Sequence, residues 1–173
     1  MTRELSYVGK PVARADAIDK VTGSAQYTHD LCLPGMLHTA LVLSPHASAR
    51  IVSVDTEQAE RLPGVRAVLS GKGLCYQLGL YMQDKCILAR DVVRYQGEAV
   101  VAVAADTLDI AKAASLLVEV EYDVQPSVLD PREAMNESAH LVHPDLHTYD
   151  HMEGVFFPKA HTNIAHHQKI RKG

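Results

Sequence analysis

The chain reads as an α+β domain, and three observations predict that class. Between Asp91 and Tyr122 the apolar period changes from strand to helix and back to strand within one short unit. Short β-prone runs separated by Gly and Pro recur ahead of that unit, and a single helix-capping pattern stands among them. At 173 residues and 47% hydrophobic content there is room for one core of ordinary size. The expectation is a mixed sheet carrying two main helices, followed by a tail.

Taken in order, the elements begin with a surface lead-in of residues 1–20. Val8-Gly9-Lys10-Pro11 places Gly and Pro too close for a regular element. Lys20-Val21-Thr22-Gly23 ends in a turn residue, and Gln26-Tyr27-Thr28 is β-prone. Pro34-Gly35 is a strong turn signal before a strand over 36–43. Ser44-Pro45-His46 interrupts the strand because Pro cannot donate to a ladder, and Ile51, Val52 and Val54 resume it. Asp55 with Gln58 three residues on resembles a capping box for a two-turn helix, which Pro63-Gly64 stops. Residues 65–69 return to strand. Gly71-Lys72-Gly73 opens a loop that runs on past Gly79 to Asp91.

In the central unit, Val92, Val93 and Tyr95 lead to Gly97 as a turn, and residues 99–104 form an apolar run of buried-strand length. Asp106 is the predicted N-cap of a helix reaching Leu117, with Ile110, Ala113, Ala114 and Leu117 as its apolar stripe. Val118, Val120 and Tyr122 then alternate with Glu119, Glu121 and Asp123, as in a strand with one face in water. From Asp130 the composition shifts. A short helix is expected over 131–136, and seven of the ten histidines follow in a tail broken by Pro144 and Pro158, expected to pack little.

Charge and composition exclude several classes. A net charge of -4, spread along the chain, leaves no basic footprint for nucleic acid or an anionic membrane. No run approaches the ~20 apolar residues of a membrane span, and residues 1–10 lack the apolar core of a secretion signal, so a soluble, cytoplasmic chain is expected. Cys32, Cys75 and Cys86 are odd in number and widely spaced, which points to reduced thiols rather than disulfides or a metal site.

Three constellations contain chemically capable residues. His140, His143, His147 and His151 would share one stripe of a helix and could ligate a transition metal, but Pro144 breaks the helix that would align them. Arg94 and Glu98 could be an acid–base pair, yet a salt bridge across the Gln96-Gly97 turn is the simpler reading. Ser44, His46 and Asp55 are the residue types of a hydrolytic triad, without the strand–turn–helix elbow that would expose the nucleophile. No catalytic, cofactor-binding or metal-binding residue is therefore assigned.

A set of short motifs adds to this reading. Val8-Gly9-Lys10-Pro11-Val12-Ala13-Arg14-Ala15-Asp16, Asp19-Lys20-Val21-Thr22-Gly23, Leu33-Pro34-Gly35-Met36-Leu37-His38, Ser44-Pro45-His46-Ala47 and Ala49-Arg50-Ile51 come first. Leu62-Pro63-Gly64-Val65, Val93-Arg94-Tyr95 with Gly97-Glu98, Thr162-Asn163-Ile164-Ala165 and the run 169–173 follow in the same order. Together the set resembles the N-terminal region of the molybdenum-binding subunit in the xanthine dehydrogenase and aldehyde oxidase family of molybdenum hydroxylases. Ser48 stands where that family often has a histidine, and Ala99 where it often has a proline.

The resemblance implies an α/β-hammerhead domain over residues 1–132, lead-in included. Residues 133–173 would be a linker and the start of a molybdopterin-binding domain. The parent reaction would be hydroxylation of an aldehyde or N-heterocycle with oxygen from water. Molybdopterin, iron–sulfur clusters and flavin would lie outside this chain, on a downstream domain or on partner subunits, with self-association also open. The chain is expected to be a truncated or split subunit without activity of its own; the alternative is a stand-alone, non-catalytic scaffold or docking module.

Overall fold

β-branched residues need partners across a pleated surface, and the chain supplies them by folding short strands back on one another. The computed structural model describes residues 7–74 and 76–172. Cys75, expected as a reduced thiol, lies outside them. Residues 1–36 and 37–173 form two compact units.

Among its described residues the first unit contains one α-helix, α1 (Ala17–Thr22), and none of that helix's residues is buried. Gly23 follows it in the left-handed conformation, with its N–H donating to the Lys20 carbonyl, so this glycine ends a helix where the sequence suggested only a turn. Arg14 and Lys20 both reach the Asp16 carboxylate and hold it below its ordinary pKa, Lys20 the more strongly. The expected β-prone stretch at Gln26-Tyr27-Thr28 instead leads into a 3-10 turn over Thr28–Asp30. The Asp30 carboxylate accepts from the Tyr27 N–H, and that local bond outweighs β-propensity where no partner strand lies alongside.

The second unit holds the strands. They are β1 (His38–Leu43), β2 (Ala49–Asp55), β3 (Val65–Ser70), β4 (Gln77–Leu78), β5 (Lys85–Cys86), β6 (Val92–Val93), β7 (Ala99–Ala105) and β8 (Glu119–Val124). The helices are α2 (Glu57–Glu60), α3 (Leu108–Ser115) and α4 (Pro131–Ala134). One sheet has the order β1-β7-β3, a second β6-β2-β8, and β4 and β5 make a two-stranded ribbon. Each ladder is antiparallel, where a mixed sheet was expected. The reason is topological: β7 inserts between β1 and β3, so strands that run parallel to each other never pair directly.

β7 is the centre of the packing. Val42 and Ala40 of β1 face Val101 and Val103, and Val68 of β3 faces Val103 from the other side. Val100, Val101 and Val103 are fully buried, as are Val93 of β6 and Ala49 of β2. α3 lies against this sheet through Ala111 and Ala114, whose small side chains allow a close approach.

Three local expectations are corrected. Thr107, not Asp106, caps α3: its hydroxyl oxygen accepts from the Ile110 N–H at 3.2 Å. Asp106 is held elsewhere by the Arg66 guanidinium, through two bonds of 2.7 and 2.8 Å that also keep its carboxyl below the usual pKa. The helix also stops at Ser115, whose hydroxyl bonds the Lys112 carbonyl, so Leu117 lies beyond it and is 36% exposed rather than facing the sheet. The capping of α2 is displaced as well, since Thr56 is the N-cap while the Asp55 carboxylate takes the Glu57 N–H at 2.9 Å. Here the last strand residue and the cap are adjacent, which a three-residue spacing rule does not anticipate.

Candidate functional site

Arg94 and Glu98 flank the turn at Gly97, which has φ of +88°. The turn is bonded to the Ser44-Pro45-His46 corner: the Gly97 N–H donates to the Ser44 carbonyl and the Ser44 N–H to the Glu98 carbonyl, both at 2.8 Å. The expected Arg94–Glu98 salt bridge does not form. The buried Glu98 carboxylate instead accepts from the Arg94 backbone N–H at 2.6 Å. That contact satisfies a buried acid within its own turn and frees the guanidinium to point away. Arg94 Nε then donates to the Val142 carbonyl, 48 residues on, at 3.1 Å.

This bond begins the attachment of the tail. Asn163 completes it: its Oδ1 accepts from the Val142 N–H at 2.9 Å, while its Nδ2 donates to the carbonyls of His140 and Ala134 at 2.9 and 3.2 Å. A second clasp joins residues 81–83 to 150–152, with the Gln83 N–H on Asp150 and the Met152 N–H on Tyr81. Phe156 stacks on Tyr81 with ring centroids 5.5 Å apart, and Leu146 is buried. A tail expected to pack little thus has fixed partners. It lacks a period because single side chains, not a repeating face, hold it.

The other candidates are placed as follows. Ser44 Oγ is engaged with the His46 backbone, and the Asp55 carboxylate with the Glu57 N–H, so the triad residues do not converge. The His46 ring meets Tyr122 edge-on at 5.1 Å, and burial pushes the Tyr122 hydroxyl above its ordinary pKa against the opposing effect of Ser44. The four tail histidines do not share a helix. His143 bonds the Tyr149 hydroxyl at 3.2 Å, His151 the Tyr149 carbonyl at 2.8 Å, and His147 lies by His161. Among the described residues, no three His, Cys, Asp or Glu side chains come together as a metal site would need. Cys32 and Cys86 are free thiols.

Where the tail crosses the β6-β2-β8 sheet it leaves a cleft of about 560 Å³, lined by residues such as Arg50, Val92, Arg94, Gln125, Val128 and Leu141. Periodicity gave no signal for this cleft. Asn163, which closes the tail over it, stood out only as part of a resembling motif. On the β1-β7-β3 sheet, Leu41, Leu43 and Leu69 are each about half exposed beside Ala67, Ala102 and Ala104, so one face of that sheet is largely apolar and uncovered.

Residues 22–126 match the model of the aldehyde oxidase and xanthine dehydrogenase a/b hammerhead domain. Over 141 residues the chain is 40% identical to a probable xanthine dehydrogenase subunit of Bacillus subtilis, a match that covers 80% of the chain and 19% of that protein. It is 36% identical over 165 residues to the carbon monoxide dehydrogenase large chain of Afipia carboxidovorans, covering 92% of the chain and 20% of the relative. The structure of a Cu,Mo-CO dehydrogenase superposes with a TM-score of 0.72 at 35% identity, over 94% of this chain and 20% of that one. Quinoline 2-oxidoreductase from Pseudomonas putida gives 0.67 at 38%, over 73% and 17%. The chain spans about a fifth of the length of these relatives. Fold, motif order and sequence agree, and the chain belongs to the aldehyde oxidase and xanthine dehydrogenase family of molybdopterin-dependent hydroxylases, as its α/β-hammerhead domain.

Proposed function

We propose that this chain serves as the N-terminal structural part of the large subunit of a molybdopterin-dependent hydroxylase. The observation that carries the reading is the uncovered apolar sheet face around Leu41 and Leu69, set on a well-buried core. A fully formed core does not need that face, and water is a poor neighbour for it; a second domain of the same assembly would cover it. Among the described residues no three His, Cys, Asp or Glu side chains offer donors to one metal ion. No chemical step is therefore assigned to a residue of this chain. Molybdopterin, iron–sulfur clusters and flavin belong, in this reading, to a downstream domain and to partner subunits. Relatives are themselves subunits, one of them a large molybdopterin subunit of nicotinate dehydrogenase in Eubacterium barkeri. Residues 1–132 would act as the hammerhead with its lead-in, and residues 133–173 as the linker toward the molybdopterin-binding domain. The reaction would be oxidation of an aldehyde or N-heterocycle with water oxygen.

A domain exchange tests this. Residues 7–172 would replace the matching region in the related xanthine dehydrogenase subunit of Bacillus subtilis, expressed with its partner subunits. The expected result is a complex that retains molybdenum and hydroxylase turnover, and that loses both when Leu41→Glu and Leu69→Glu are added. A folded chimera that fails to assemble, or one indifferent to the two glutamates, overturns the reading.

A further inference from the structure

The cleft beside β6 has a chemistry that the scaffold role leaves unused. No Asp or Glu lines it, while two guanidinium groups do. The charge of Arg50 is matched by Asp123 across the β2–β8 pair. That of Arg94 is not. Its Nε is spent on a neutral carbonyl, Asp91 three residues before it pairs with Arg90, and Glu98 is committed to the Arg94 backbone N–H. No ion pair holds Arg94 among the described residues, so its terminal nitrogens are left for another partner.

The surroundings register that charge. It acts with burial to hold the His143 imidazole below its ordinary pKa, and it opposes the upward effect of burial on Tyr149. Asp84 acts on both groups in the opposite sense, and Asp145 does so at Tyr149. A half-buried guanidinium without a counterion favours an anion over water, and its planar fork matches a carboxylate. Val92, Val128 and Leu141 give the cleft apolar walls, and its volume of about 560 Å³ is that of a small-molecule site.

We propose that this cleft binds a small organic anion with one carboxylate on an apolar body, the carboxylate on the terminal nitrogens of Arg94 and the body against Val92, Val128 and Leu141. The proposal is independent of the hydroxylase reading, since the cleft is built wholly from residues 47–144 of this chain.

The test is a titration of the isotopically labelled chain with benzoate, followed by amide chemical shifts, with benzamide and acetate as probes lacking the charge and the apolar body. Saturable shifts are expected at residues 92–96, 125–129 and 140–142, with benzoate binding roughly tenfold more tightly than either control. Gln96→Glu places a carboxylate in the cleft from an exposed position and should weaken benzoate severalfold while leaving unbound spectra elsewhere unchanged. Arg94→Lys keeps the charge without the fork and should weaken it less. Shifts centred on the Leu41 and Leu69 face, equal binding of benzamide or acetate, or a Gln96→Glu variant that binds benzoate unchanged would each overturn the proposal.

Discussion

The β1-β7-β3 sheet with α3 and the segment from residue 126 to 172 are held together in different ways. In the sheet every second residue of a strand repeats the same task, so Val101, Val103 and Ala105 bury one face through spacing alone. In the segment the elements are one short helix and a 3-10 turn, and isolated groups do the work: Asn163, the Arg94 guanidinium, the 81–83 backbone. The difference teaches where stability is concentrated. Loss of one residue in a periodic face leaves its neighbours in place, whereas loss of one polar keystone releases a whole segment.

The largest expected effect breaks the sheet side. Val103 is fully buried and faces both Ala40 and Val68 across its two ladders. Val103→Ala removes two methyl groups and leaves a cavity, so it should cost about 2 to 3 kcal/mol of global stability. Denaturant unfolding should show the midpoint fall with an unchanged slope. A loss confined to residues 126–172 would show that the two regions are not distinct.

Asn163→Ala should produce the reverse pattern. It strands the Val142 N–H and the carbonyls of His140 and Ala134, at roughly 1 to 3 kcal/mol where the orphaned group stays dry. Hydrogen exchange should accelerate through 134–165 while β1, β3 and β7 keep their protection. Asn163→Asp should be intermediate, because the carboxylate can still accept from Val142 but offers nothing to the two carbonyls. Equal acceleration in β7 would sink the keystone idea.

That asymmetry also decided how much could be read from the chain itself. β7 was legible within one residue as the apolar run 99–104, and β8 as the alternation of Val118, Val120 and Tyr122 with acids. The short helix expected over 131–136 is present as α4 but ends at Ala134, and the Asp130 carboxylate opens it by taking the Arg132 N–H at 2.6 Å. The end of α3 was misplaced because Leu117 keeps a helical spacing although the chain must already turn into β8. Of the cleft, Arg94 and His140 were singled out, each in another role: for Arg94 a four-residue separation suggested Glu98, whereas the guanidinium bonds a carbonyl 48 residues away. Long-range bonds of one side chain have no period to reveal them.

Acidification should separate the regions without any substitution. His143 lies in the tail, bonded to Tyr149, with its pKa lowered first by burial and then by Arg94, against Asp84. A folded pKa below the unfolded 6.5 means that the neutral ring stabilises the attached tail above that pH. The contribution is lost as pH falls below 6.5 and through the lower folded value. Protection factors in 140–165, taken against the intrinsic exchange rate at each pH, should therefore fall on going from neutral to mildly acid pH while those of β7 hold, and His143→Phe should flatten the response. A response that persists undiminished in that variant would assign it to another group.

The smallest effects test the phase of α3. Leu117 keeps 36% of its surface exposed beyond the helix end, whereas Ala111 and Ala114 are fully buried. Leu117→Ala should therefore cost only about 1 kcal/mol, well under the roughly 2 to 5 expected had it faced the sheet. Lys112 is exposed, and its backbone carbonyl accepts from the Leu116 N–H and the Ser115 hydroxyl. Lys112→Ala should then change stability by less than roughly 0.5 kcal/mol. Both substitutions leave the β1-β7-β3 ladders untouched, so thermal or denaturant unfolding isolates the helix contribution. A Leu117→Ala cost matching that of Val103→Ala would mean that α3 runs on past Ser115 and that its buried stripe is shifted toward Leu117.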